Sequence, residues 1–272
     1  MRYFATLHKR LFSSSLILAG SLSLLAGVGL ITPVMAATPN TAPRELKQVV
    51  EQIEDAANRQ DIEAVMQFYS PNFSSGDTLS RYLYQKGLSE FWQAYSNLNY
   101  RTELLFWERE GNALVAETLT TITGTREQNG RQMRMETQLR SRQRFENQQV
   151  VSQEILSERT EITAGENPPE VTINLPDTVK VGDRFSFDAI VEQPLNNDDV
   201  LLGAALEERV GSDRFFNPTN FDLELLPAGG LYKIGTAPLL PDNRWVSAVL
   251  IRGDGMTMIT QRLRVVDSDD QD

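Results

Sequence analysis

The sequence predicts an α+β unit, three helices packed on a curved antiparallel sheet, followed by an all-β antiparallel sandwich. Three observations carry this. Residues 100–161 read as four long alternating β-segments joined by Glu110-Gly111-Asn112, Gln128-Asn129-Gly130 and Glu146-Asn147-Gln148; Asn-Gly between alternating runs is a strong hairpin signal. Ahead of them, residues 44–96 place apolar side chains at helical spacing. Behind them, residues 170–266 hold about seven short β-segments separated by turn residues, the pattern of a sandwich.

Taken in order, residues 1–36 read as an export signal. Arg2, Lys9 and Arg10 precede an uncharged apolar run from Phe12 to Ile31, and Val34-Met35-Ala36 offers small residues where a signal peptidase would cut. Cleavage after Ala36 is expected, with an uncleaved anchor as the rival reading, and the destination is the periplasm or an equivalent lumen. A lipoprotein is excluded, because there is no cysteine to acylate.

Composition bounds the chemistry. Three of the 26 basic residues and none of the 37 acidic ones lie in the signal, leaving 23 against 37 and a net charge of −14. Such a chain is repelled by nucleic acid and by anionic membrane surfaces, so neither is expected as a partner. The single histidine is His8, inside the signal, and there is no cysteine. The mature chain therefore lacks the groups for Ser-His-Asp or Cys-His catalysis, thiol redox chemistry, disulfides and the usual zinc or copper sites. No cofactor or metal is expected. Carboxylate and tyrosine chemistry stays open.

Residues 37–43 are a short Pro/Thr/Ala tether. Leu46, Val49, Val50, Ile53, Ala56 and Ala57 then form one face of a helix after Pro43. Asp61 caps a second, short helix carrying Ile62, Val65, Met66 and Tyr69. Residues 70–78 read as a turn and loop, and a third helix spans about residues 79–96 with Leu79, Leu83, Phe91 and Tyr95 on its stripe. The segment Ile53-Glu54-Asp55-Ala56-Ala57-Asn58-Arg59-Gln60-Asp61-Ile62-Glu63-Ala64-Val65, with Phe68-Tyr69-Ser70-Pro71-Asn72-Phe73, resembles the opening of the nuclear transport factor 2-like (SnoaL-like) superfamily. The resemblance covers residues 44–163. It implies a cone in which the sheet wraps the long helix and leaves a pocket at the open end. Members include isomerases, dehydratases, cyclases and non-catalytic binding domains, so fold does not settle function. No residue of a catalytic member transfers to a numbered position here.

In the third β-segment, Met133, Met135, Thr137, Leu139, Ser141, Gln143 and Phe145 alternate with charged and amide residues, and the first set is expected to face the helices. Thr137, Ser141 and Gln143 are thus candidate pocket groups, joined by Trp92, Tyr95 and Tyr100; the alternative is plain core. Trp107 is a further aromatic candidate. Asp77, near the expected cone mouth, reads as a base or as a loop cap for the third helix. Arg140, Arg142 and Arg144 form a row on the other face, either a charge ladder with Glu117, Glu154 and Glu158 or a docking surface. Relatives of the resembled fold often dimerise through that face, which implies a possible homodimer.

Residues 164–169 read as a linker, with Gly165 and Pro168-Pro169, so the two parts are expected to separate by proteolysis. The second part, 170–266, looks like an immunoglobulin-like module without cysteines. The acidic runs 196–199 and 267–272 lack the ligand spacing of a calcium loop. Two functional readings follow: an exported non-catalytic binding or assembly protein taking a small apolar ligand or a partner segment, or an isomerase-, dehydratase- or cyclase-type enzyme using a carboxylate and a tyrosine.

Overall fold

Tight turns impose the register of the central meander. Gly111 (φ 61°), the pair Asn129 (φ 53°) and Gly130 (φ 72°), and the pair Asn147 (φ 49°) and Gln148 (φ 62°) adopt the left-handed backbone that two-residue hairpin loops need. The computed structural model describes residues 37–193, 200–216, 219–226, 229–253 and 255–267. The signal reading of residues 1–36, the acidic run 196–199 and residues 268–272 of the acidic tail lie outside the described residues.

A 3-10 turn (Pro39–Thr41) leads to helices α1 (Arg44–Asn58) and α2 (Ile62–Gln67), strand β1 (Tyr69–Ser75) and helix α3 (Arg81–Ala94). The meander is β2 (Ser96–Glu110), β3 (Ala113–Gln128), β4 (Arg131–Glu146) and β5 (Gln149–Ala164). There follow β6 (Val171–Asn174), β7 (Thr178–Lys180), β8 (Arg184–Val191), β9 (Leu201–Arg209), the short helix α4 (Ser212–Phe216), β10 (Glu224–Leu225), β11 (Gly230–Thr236), β12 (Asp242–Arg252) and β13 (Gly255–Val266). Among the described residues no helix is long and apolar enough to cross a membrane.

Local chemistry accounts for the helices. Leu46, Val49, Val50, Ala56 and Ala57 bury one face of α1, and the Asp61 side chain accepts the Ala64 N–H at 3.0 Å to cap α2. Ser80 caps α3 through the Leu83 N–H. The cap of α3 is therefore Ser80, not Asp77. Strand β1 occupies residues expected as a turn. It pairs in parallel with β5, and Pro71 falls in the register break between Tyr69 and Ser74, where no ladder donor is needed.

Strand pairing overturns the expectation of a three-helix α+β cone with a separate sandwich. Sheet predominates, and one ten-stranded sheet runs β10-β9-β12-β13-β5-β4-β3-β2, with β1 on β5 and β7 on β13. The outer edge of β5 is shared: β1 takes its first part, and residues 159–164 pair antiparallel with β13. The sheet thus crosses from the N-terminal to the C-terminal half without a break. A three-stranded sheet, β11-β8-β6, packs Phe185, Phe187, Ala189 and Leu231 against Leu201, Val246, Ala248, Leu250 and Leu263 of the large one. The helices cover the other end, over Tyr100, Leu114, Ala116, Ile122, Met135, Phe145 and Val150.

The segment expected as a free linker is held in place. Thr257 Oγ1 donates to the Pro169 carbonyl at 2.6 Å, and position 255 must be glycine because a Cβ there would sit 2.0 Å from the Asn167 carbonyl oxygen.

Candidate ligand cavity

Between the helices and the inner face of the meander lies a cavity of about 420 Å³, a size within the ~300–1,000 Å³ range of small-molecule sites. One wall is apolar, built by Val50, Ile53 and Ala57 of α1 and Leu83, Leu88 and Phe91 of α3. The sheet wall carries paired polar groups. Thr102 meets Thr120 (3.1 Å), Thr118 meets Ser141 (3.1 Å), Thr137 meets Thr160 (2.9 Å), and Gln143 Nε2 donates to Gln153 Oε1 (2.9 Å). Each pair sits on neighbouring strands, so the meander register brings the partners together and satisfies them without a ligand.

Tyrosines supply further hydroxyls. The Tyr69 and Tyr84 hydroxyls are 2.9 Å apart and their rings stack at 4.7 Å. Trp92 Nε1 donates to the Tyr100 hydroxyl at 2.8 Å, leaving that hydroxyl its own proton to donate. Burial raises the pKa of all three above the ordinary 10; for Tyr69 the neighbouring Tyr84 adds to the effect. They are neutral donors at physiological pH. Glu54 of α1 also lines the cavity and accepts the Thr102 N–H.

The C-terminal half contributes to the same cavity through Val210, Gly211, Trp245 of β12 and Arg262 of β13. Arg262 is 2% exposed. Its Nη1 and Nη2 donate to both Asp77 oxygens at 2.8 and 2.9 Å, and its Nε and Nη2 donate to Glu158 Oε2 at 3.2 and 2.9 Å. Trp245 Nε1 donates to the same Glu158 oxygen at 2.9 Å. Burial pulls the Arg262 pKa down, but Glu158 and Asp77 outweigh it and the net shift is upward.

Of the sequence candidates, Tyr95, Tyr100, Thr137, Ser141 and Gln143 line the cavity. Trp92 stands behind Tyr100, and Trp107 turns away to donate to Thr41 Oγ1. Arg140, Arg142 and Arg144 lie on the opposite face of β4. Arg140 and Arg142 bracket the buried Glu117 (2.7 and 2.6 Å), and Arg144 pairs with Glu110 and Glu146. The Glu117 pKa is lowered: burial would raise it, and the two guanidinium groups more than reverse that. Glu154 pairs with Arg264 of β13.

Glu158 is the misplaced member of the expected ladder. Arg140 pairs with Ser157 and Ser141 with Ile155, so Leu156 is an extra residue in β5. That bulge reverses the facing of everything after it, sending Glu158 into the cavity while Glu154 stays outside. Arg262 and Trp245 carried no signal in the sequence. They reach the cavity only because β13 pairs with β5.

Among the described residues no group of three or more His, Cys, Asp or Glu is placed to hold a metal ion. Residues 166–266 match the family described as "Domain of unknown function (DUF8623)". No curated protein matches the chain. Among solved structures, Bd1075 of Bdellovibrio bacteriovorus is 15% identical with a TM-score of 0.30, over 41% of this chain and 40% of that one. The chain thus spans about two fifths of that protein's length. An LEH-like epoxide hydrolase of M. tuberculosis is 9% identical with a TM-score of 0.30, over 41% of this chain and 80% of that one. A hypothetical protein with a ketosteroid isomerase-like fold from Catenulispora acidiphila DSM 44928, in complex with trimethylamine, is 13% identical with a TM-score of 0.27, over 44% of this chain and 85% of that one.

Proposed function

We propose that this is an exported, non-catalytic small-molecule-binding protein, built on a nuclear transport factor 2-like N-terminal half, whose cavity takes a mainly apolar ligand. The carrying observation is the cavity itself, with an apolar helical wall facing a sheet wall whose hydroxyls and amides already satisfy one another. Such a lining accepts a hydrophobic body and offers a few fixed polar groups for orientation. The C-terminal half closes part of the wall through Arg262 and Trp245, which gives the second half a role in the site. Export rests on the charge and apolar pattern of residues 1–36. Native mass spectrometry of the mature protein tests the reading. A retained small molecule, lost on denaturation, is expected; an empty protein that binds no compound from an apolar library refutes it.

One observation favours acid–base catalysis as a second reading. Glu158 lines the cavity together with Tyr69, Tyr84 and Tyr100, and its Oε1 accepts no hydrogen bond from a described residue. A carboxylate and a phenol around one void are the parts of a proton-transfer site. Turnover of a bound ligand that Glu158→Gln abolishes without loss of binding would establish it.

A further inference from the structure

Charge at the cavity wall discriminates among ligands that its volume admits equally. Among the described residues that line it, three are carboxylates, Glu54, Asp77 and Glu158, and one is a cation, Arg262. A guanidinium has five N–H donors, and Arg262 already makes four hydrogen bonds to Asp77 and Glu158. An anionic headgroup entering this space finds the lining guanidinium already engaged and meets like charge. A cation meets an excess of two negative charges, three carboxylates against one guanidinium, with the Arg262 group beside Glu158 offsetting part of that attraction. Glu158 and Glu54 are each fixed through Oε2, by Arg262 and Trp245 in one case and by the Thr102 N–H in the other. Their Oε1 atoms accept nothing from the described residues, so two oriented acceptors remain. Independently, the lining is rich in aromatic rings, with Tyr69, Tyr84, Phe91, Tyr95 and Tyr100 around one space; Tyr69 and Tyr84 stack on one another, and the Tyr95 ring already holds a cation, the Arg126 guanidinium at 5.9 Å.

We propose that the cavity selects a lipophilic amine in its ammonium form, its carbon body against α1 and α3 and its nitrogen at Glu158. This rests on the reading of the cavity as a ligand site. An alkylamine, like a lysine side chain, is charged at neutral pH, so the selective interaction is an ammonium–carboxylate hydrogen bond.

Calorimetric titration of the mature full-length chain with three probes of one chain length, octylammonium, octanol and octanoate, tests it. Octylammonium should bind about tenfold more tightly than octanol, because both can donate a hydrogen bond to the Glu158 carboxylate but only the ammonium adds the attraction of a full opposite charge, and octanoate should bind least. Glu158→Gln should abolish the preference, so that octylammonium and octanol bind that variant equally. Glu54→Gln, which keeps an oxygen for the Thr102 N–H, should leave the ammonium preference in place; loss of the preference there with Glu158→Gln unaffected overturns the placement of the nitrogen at Glu158. Octanoate binding as well as octylammonium, octylammonium no better than octanol, or ammonium preference surviving both substitutions overturns the amine assignment while the ligand cavity stands. Binding of none of the three overturns the cavity reading as well.

Discussion

Replacing Arg262 with methionine isolates what holds the two halves of this protein around one cavity. Methionine keeps much of the apolar stem and removes the charge. The guanidinium is 2% exposed, and its partners Asp77 and Glu158 are 12% and 18% exposed by side chain. An exposed pair such as Lys86–Glu90, with 44% and 51% exposure, contributes roughly 0–1 kcal/mol because water screens it. Arg262 belongs to the other regime. Removing one partner of a buried pair strands the remaining charge in low dielectric and costs about 3–5 kcal/mol, a large share of the ~5–15 kcal/mol that stabilises a typical domain. Four charge-assisted hydrogen bonds are lost at once, yet their values cannot be added, since they share one guanidinium. Urea unfolding of the Arg262→Met variant should show this as a lower midpoint at unchanged slope. The triple variant Arg262→Met/Asp77→Asn/Glu158→Gln should be more stable than the single variant, because no charge is left stranded. A single-variant loss below ~1 kcal/mol would place the cluster with surface pairs. A triple variant no more stable than the single one would assign the cost to lost packing around the Arg262 stem rather than to Asp77 and Glu158.

Four further outcomes follow. The Glu117 pKa lies below its ordinary 4.5, so its contribution is fully present above about pH 4.5 and is lost as pH falls through the folded-state value; Glu117→Gln should flatten acid unfolding in that range. Tyr69, Tyr84 and Tyr100 have pKa values raised above 10, so three of the seven tyrosines should resist ionisation on spectrophotometric titration, and stability should decline as pH rises beyond ~10. A fragment of residues 37–164 loses the β13 partner of residues 159–164 and the Arg262 ion pairs; it should melt without cooperativity, and a sharp native-like transition would show the halves to be independent. Arg144 pairs with the exposed Glu110 and Glu146, so Arg144→Glu should leave the monomer folded; if the outer sheet face joins two copies, sedimentation should show the dimer weakened, and an unchanged dimer moves the interface elsewhere.

Local signals carried much of the secondary structure. The helical stripe of α1, the Asp61 cap and the Asn-Gly turn at 129–130 are interactions between residues a few positions apart, so the sequence determines them directly. Alternation along β4 likewise placed Thr137, Ser141 and Gln143 inside and Arg140, Arg142 and Arg144 outside. Tertiary structure decided the rest. A strand edge has no sequence signature for its partner, so nothing in residues 159–164 announced that β13, about a hundred residues on, would extend the sheet and bring Arg262 to Asp77 and Glu158. One extra residue, Leu156, reversed the facing of Glu158, because period-two inference holds only while the ladder is unbroken. Side-chain order along a strand is a local property; which edges meet, and where a ladder slips by one, is fixed only when the whole sheet closes its hydrogen bonds.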